Sequence, residues 1–278
     1  MLLPRFLTAL FGVPLLLAAI WWGQIPFLIL LFGISMLSLY EYYTLAEESN
    51  WPVSKKTGLL CGAVLALSIY LFGTRMGWSK SPESHIFFSP AVLSVILLVL
   101  VVSAMASGRR ENAFINVSIT FLGLFYVVWN LAHLVLIRDL RPDGRLYTFF
   151  LFFVIWAMDI GAYGGGTKFG KNSLSDTLSP KKTWEGVFFG VLSSLAVAFI
   201  CRFSFLKSLK ISWALGLALL IAVLAQLSDL SESLFKRNVR VKDSGTLLPG
   251  HGGFLDRFDS FLLVSPVYYY ILVLLVKP

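Results

Sequence analysis

The chain has 278 residues, of which 57% are hydrophobic and only 14% charged, and its mean hydropathy is +0.79. A soluble domain carries about 25% charged residues, so this composition excludes an ordinary water-soluble fold and places the chain among membrane proteins. The net charge of +8 fits a positive-inside bias and anionic headgroups as well as an anionic substrate, while the two cysteines, Cys61 and Cys201, sit in or beside apolar runs and offer neither a disulfide framework nor a thiol metal site.

Apolar runs of about 20 residues match a hydrocarbon core about 30 Å thick. They are continuous rather than alternating, which selects helices over barrel strands. Nine spans are predicted, near 6–22, 26–46, 57–73, 86–106, 114–137, 146–166, 183–203, 211–230 and 260–276. The first carries Arg5, but no small-residue cleavage site follows and the second run begins at once, so it reads as an uncleaved span. The expected fold is an all-α polytopic membrane protein with about nine transmembrane helices. About five N-terminal helices over 1–140 precede a catalytic membrane region over 141–278, whose loops 167–182 and 231–259 are its longest polar segments. Lys and Arg counted on alternate sides give 14 against 9, which puts the N-terminus and both loops on the cytoplasmic side. The loops 74–85 and 138–145 read as solvated connections.

Eight of the fifteen carboxylates follow residue 158: Asp159, Asp176, Glu185, Asp229, Glu232, Asp243, Asp256 and Asp259. Several lie inside or at the end of an apolar run, where a charge costs about 2.5–3.5 kcal/mol on insertion scales. Such a group faces a cavity, pairs with another charge or binds a cation.

Asp159 is followed by Gly161, Gly164, Gly165 and Gly166. This pattern reads either as a helix end with small residues for tight packing or as a carboxylate at a polar cavity whose glycines let backbone approach a ligand. In the next segment Pro180 precedes Lys181 and Lys182, and Thr183 is placed to cap the following helix. A helix N-terminus flanked by lysines suits a phosphate, although a positive-inside loop explains the same lysines. Further on, Asp229, Glu232, Ser233, Lys236 and Arg240 recur at steps of three or four, one stripe on a helix that starts in the membrane and ends in water.

The segment 233–259 packs three carboxylates, five cations, His251, four glycines and Pro249 into one stretch. Its turns bring backbone donors close to a ligand, and Asp256 and Asp259 fall on one helical face. Carboxylates beside many Lys and Arg suit a polyphosphate with bound Mg²⁺; the spacing is not that of a His/Cys zinc site.

This stretch resembles the signature of the CDP-diacylglycerol synthases (phosphatidate cytidylyltransferases): Ser233-x-x-Lys236-Arg237, four residues, Lys242-Asp243-x-Gly245, then Leu248-Pro249-Gly250-His251-Gly252-Gly253-x-x-Asp256-Arg257-x-Asp259. Supporting elements are Asp159-x-Gly161-Ala162-Tyr163, Ser179-Pro180-x-Lys182-Thr183-x-Glu185-Gly186 and Asp229-Leu230-x-Glu232-Ser233. The specific likeness covers 156–186 and 225–260; the first 140 residues match as generic spans. Ser228 stands where many members have Gly, and Ile160 where many have Ser or Thr.

The resemblance implies CTP plus phosphatidic acid giving CDP-diacylglycerol and pyrophosphate, at a polar cytoplasmic-side cavity formed by the C-terminal half. It implies Mg²⁺, with room for a second, monovalent cation. Asp229 and Asp256 are the leading metal ligands, with Asp243 or Asp259 as a further ligand. Lys236, Arg237, Lys242 and Arg257 would bind CTP or lipid phosphates, and His251 would hydrogen-bond a phosphate or a metal-bound water. Asp159, Lys182, Thr183, Glu185, Glu232, Ser233, Gly252 and Gly253 complete the substrate site. The expected partners are CTP, phosphatidic acid and membrane lipids, with a homodimer allowed and no nucleic acid, in a bacterial inner membrane. Competing accounts are a secondary transporter, a CTP-dependent polyprenol kinase, which would release CDP instead of pyrophosphate, and a non-catalytic scaffold.

Overall fold

A computed structural model describes residues 3–73, 84–107, 111–245, 247 and 252–275. The described residues of the predicted apolar segments are helical, except that Thr183 ends a strand and a break at residue 263 divides 260–276 into two helices. Among the described residues six helices are long and apolar enough to cross a membrane: Gln24–Glu48, Ala113–Asp139, Gly144–Phe169, Trp184–Ser204, Ile211–Asn238 and Leu255–Leu275. This fits an integral membrane protein. The all-α expectation needs one amendment, a two-stranded hairpin described below. Most of the 74–85 connection lies outside the described residues.

The chain forms two compact units. The first comprises Met1–Asp139 together with Val239–Phe258. Its helices are α1 (Leu3–Trp22), α2 (Gln24–Glu48), α3 (Lys55–Gly73), α4 (Ser84–Ala106), α5 (Ala113–Gly123) and α6 (Asn130–Asp139). A π-helical turn, Leu124–Trp129, joins α5 to α6, so 113–139 is one rod. The buried Tyr42 and Tyr43 of α2 lie in the interior, where the Tyr43 hydroxyl donates to the Thr120 carbonyl at 2.7 Å. This partner offsets the burial of the Tyr43 phenol, since an unpaired hydroxyl in an apolar interior is costly.

The second unit comprises Leu140–Asn238 and Asp259–Pro278. Helix α7 (Gly144–Phe169) leads to strands β1 (Ser173–Ser175) and β2 (Ser179–Thr183), paired antiparallel with Ser173 opposite Thr183. Helices α8 (Trp184–Ser204) and α9 (Ile211–Asn238) follow. The chain ends in α10 (Leu255–Leu262), which begins in the first unit, and α11 (Val264–Leu275).

Helices α7 and α8 meet through glycine. A Cβ at Gly190 would lie 2.8 Å from the Met158 carbonyl oxygen, and one at Gly186 2.8 Å from that of Ala162. The Ser194 hydroxyl then reaches the Val154 carbonyl at 3.1 Å. Small residues that admit close backbones are the means by which helices associate where lipid removes the hydrophobic drive. The opposite face of α8 exposes Phe188, Leu192, Phe199, Ile200 and Phe203. In water that face would be penalised at about 25 cal/mol per Å²; against hydrocarbon it is not.

Candidate functional site

In the second unit the charged side chains gather along α9. Lys182, at the end of β2, forms an ion pair with Asp229, both side chains about a quarter exposed (23% and 24%). One turn on, Lys236 pairs with Glu232, whose side chain is fully buried at 0% exposure. Asp159 of α7, Asp229 and Lys236 all lie within electrostatic reach of the Asp259 carboxyl. Asp259 Oδ1 accepts the Ser260 N–H at 2.6 Å. Four of the predicted carboxylates and two of the predicted lysines thus gather here, and a fifth carboxylate, Glu185, belongs to the same unit. The stripe holds for Asp229, Glu232, Ser233 and Lys236, but α9 stops at Asn238, and Arg240 lies beyond it in the left-handed region (φ 59°). Arg240 therefore leaves the stripe.

Ser228, one of the two departures from the family pattern, has a structural task. Its hydroxyl donates to the Asp259 carbonyl and accepts the Leu263 N–H at 3.0 Å. One side chain ties α9 to the segment carrying Asp259.

The hairpin segment is held by its own polar residues. Thr183 Oγ1 accepts the Gly186 N–H at 3.1 Å, the expected N-cap of α8. The Glu185 carboxylate accepts from Lys171 N at 3.1 Å, Asn172 N at 3.2 Å and Asn172 Nδ2 at 2.7 Å. It braces the turn after α7, an occupation the sequence did not suggest. Arg237 Nε donates to the Leu178 carbonyl at 3.3 Å. Lys181 is exposed. Gly161 and Gly165 abut Ser193 and Phe189 of α8, so these two serve packing rather than a ligand's approach; Gly164 faces open space. Asp159 sits in mid-helix, since α7 runs on to Phe169.

In the first unit the glycine-rich segment closes on its own carboxylate. Asp256 Oδ2 accepts the N–H groups of Ser244 and Gly253, each at 2.8 Å, and lies 2.9 Å from the Ser244 hydroxyl. Gly252 adopts φ +81°, and a Cβ there would come within 2.6 Å of Asp256 Oδ2. Glycine is thus required twice over, for the left-handed backbone and for the space. Lys242, Asp243 and Arg257 are exposed around this turn. His251 lies outside the described residues.

A second carboxylate, absent from the predicted set, completes the turn. Glu41 of α2, only 3% exposed, accepts Phe254 N on Oε1 and Leu255 N on Oε2, both at 2.9 Å; Oε2 also lies 3.1 Å from the Ser244 hydroxyl. The signal was present in the sequence, a lone carboxylate within the predicted 26–46 span, where an uncompensated charge is costly.

Apolar helices that carry this density of paired carboxylates and amines define an integral membrane protein with polar internal clusters. The cytidylyltransferase family model matches residues 3–275. The chain is 33% identical over 273 residues to the phosphatidate cytidylyltransferase of Bacillus subtilis (strain 168), covering 97% of each chain. It is 31% identical to the enzyme of that name from Staphylococcus haemolyticus, over 95% of this chain and 96% of the other, and 30% identical to that of Staphylococcus aureus (strain COL), with the same coverage. The chain belongs to the cytidylyltransferase family.

Proposed function

We propose that the protein is a phosphatidate cytidylyltransferase, converting CTP and phosphatidic acid to CDP-diacylglycerol and pyrophosphate. The observation that carries this is the match to enzymes of that name over nearly the whole length of both chains. A phosphate oxygen of the lipid attacks the α-phosphorus of CTP, and the bond to the β-phosphate breaks to release pyrophosphate. The nucleophile is already an anion, so no strong protein base is needed. The barrier lies in bringing anions together and in the charge on the leaving group, which positioning and electrostatics lower.

Within the second unit Lys182 and Lys236 hold amines against carboxylates, and each can turn to a phosphate when the substrate arrives. Asp229, with Asp259 beside it, would hold magnesium. The donors are all oxygen, which suits a hard cation. Among the described residues no three carboxylate, His or Cys side chains form a ready-made cage, and magnesium asks for none, since it takes one or two carboxylates and completes its shell with phosphate and water. When bound it supplies charge neutralisation. Within the first unit Lys242 and Arg257 are placed on an anchored turn and would bind phosphate. The proposal includes nine spans, a cytoplasmic N-terminus and a cytoplasmic-side site in a bacterial inner membrane, supported by the Lys and Arg asymmetry.

The test is a detergent-solubilised assay with CTP, phosphatidic acid and Mg²⁺. Pyrophosphate and lipid-linked cytidine should appear in equal amounts. Release of CDP with a phosphorylated lipid would instead identify a kinase and overturn the proposal.

A further inference from the structure

Glu41 lies about 200 residues before the segment it binds; its partners are 203, 213 and 214 positions away in the chain. The N–H groups of Phe254 and Leu255 sit at the start of α10, where helical amides have no intrahelical acceptor. A carboxylate there satisfies two of them and is favoured by the helix dipole. The same carboxylate explains two signature glycines. A Cβ at Gly253 would overlap Glu41 Oε2 and the Ser244 hydroxyl, and one at Gly245 would lie 3.0 Å from Glu41 Oε1. The glycines and the buried acid therefore fit one another. A second tie runs from the end of the same helix, where the Ser49 hydroxyl donates to the Val239 carbonyl at 3.2 Å.

We propose that Glu41 is a positioning residue for cytidylyl transfer: by gripping the backbone at Ser244 and Phe254–Leu255 it fixes the turn that presents Lys242, Asp243 and Arg257. It touches no substrate and acts through the turn. The inference rests on the reading that these exposed side chains serve the reaction. Replacement by Gln keeps the shape but removes the charge and turns one acceptor oxygen into a donor, so one α10 amide meets an N–H₂ group. The turn then shifts or loosens, and a displacement of about 1 Å can cost on the order of 10²-fold in rate.

The experiment compares full-length wild type, Glu41→Gln and Gly253→Ala in detergent, by steady-state kinetics with CTP and dioleoyl phosphatidate and by amide hydrogen exchange. The expected result is a fall in kcat/KM of roughly 10- to 100-fold. Exchange should be faster in peptides covering 242–257, with α3 and α6 unchanged. A merely structural acid would lower the yield of folded protein and leave the kinetics of the folded fraction intact. Gly253→Ala strains the same contact without altering α2, so it carries the test if Glu41→Gln does not fold. The double variant should be no worse than the poorer single one, because both substitutions release the same grip. Wild-type kinetics and unchanged exchange in the folded variants overturn the proposal. A parallel Lys242→Ala/Arg257→Ala variant separates the two failures. If it retains activity, the turn has no role in the reaction; if it is inactive while Glu41→Gln is normal, Glu41 alone is misassigned.

Discussion

Replacing Asp229 by Asn separates folding from chemistry. The substitution keeps volume and removes the charge that pairs with Lys182. Both side chains are about a quarter exposed (23% and 24%), so their pairing contributes no more than about 1 kcal/mol to stability, the upper end for solvent-accessible pairs. The variant should therefore melt in detergent close to wild type. Its activity should fall far more, because loss of one group aimed at transition-state charge costs about 2.7–4 kcal/mol, on the order of 10²–10³ in kcat. Radiolabelled CTP incorporated into lipid measures this, with detergent-phase melting measured on the same preparation. The Asp229→Asn/Lys182→Met double variant sharpens the result. If the two residues were only a salt bridge, removing the amine as well would relieve the uncompensated charge and restore function. If each acts on substrate or metal, the double variant stays as inactive as the worse single one. Near-wild-type activity in Asp229→Asn, or recovery in the double variant, would refute the metal assignment.

Other outcomes follow from the packing and the caps. Thr183→Ala removes the N-cap of α8 and should lower stability by about 1 kcal/mol, with Thr183→Ser close to wild type in the same melt. Gly190→Ala pushes a Cβ against the Met158 carbonyl and should destabilise by about 1–3 kcal/mol through enforced separation of α7 and α8; an unchanged melting temperature would show that the helices yield freely. Chelation of divalent cations with EDTA should stop pyrophosphate release, and added Mg²⁺ should restore it; full activity in EDTA would remove the metal from the proposal.

Hydropathy exposed most of the helical framework, because lipid demands long apolar runs with internally satisfied backbone. Ends were less visible. Helix α9 runs eight residues past the predicted 230, to Asn238, since Asp229, Glu232 and Lys236 continue the helix as polar residues where hydropathy falls away. The hairpin at 173–183 was hidden for another reason: its strands are short, and its brace, Glu185, comes after them in the chain. The charged residues of 159–259 were readable as a group because their types and spacing are unusual in an apolar chain. Their pairings were not, since Lys182 meets Asp229 across 47 residues, and no local pattern encodes that. Glu41 belongs to no charge cluster: it is a lone carboxylate in an apolar run, and its partners lie more than 200 residues further along the chain.

The first unit is discontinuous in the chain, since Val239–Phe258 joins helices that end at Asp139. During synthesis at about 5–20 residues per second, Glu41 waits roughly 10–40 s for the amides that will satisfy it. For that interval a carboxylate sits in an apolar helix without its final partners, while α7, α8 and α9 are still being made. Biogenesis therefore has a built-in order: the early helices can insert, but their polar interior closes only when the glycine-rich turn arrives. A chain halted between these segments would hold Glu41 without the amides of Phe254 and Leu255 that donate to it in the finished unit.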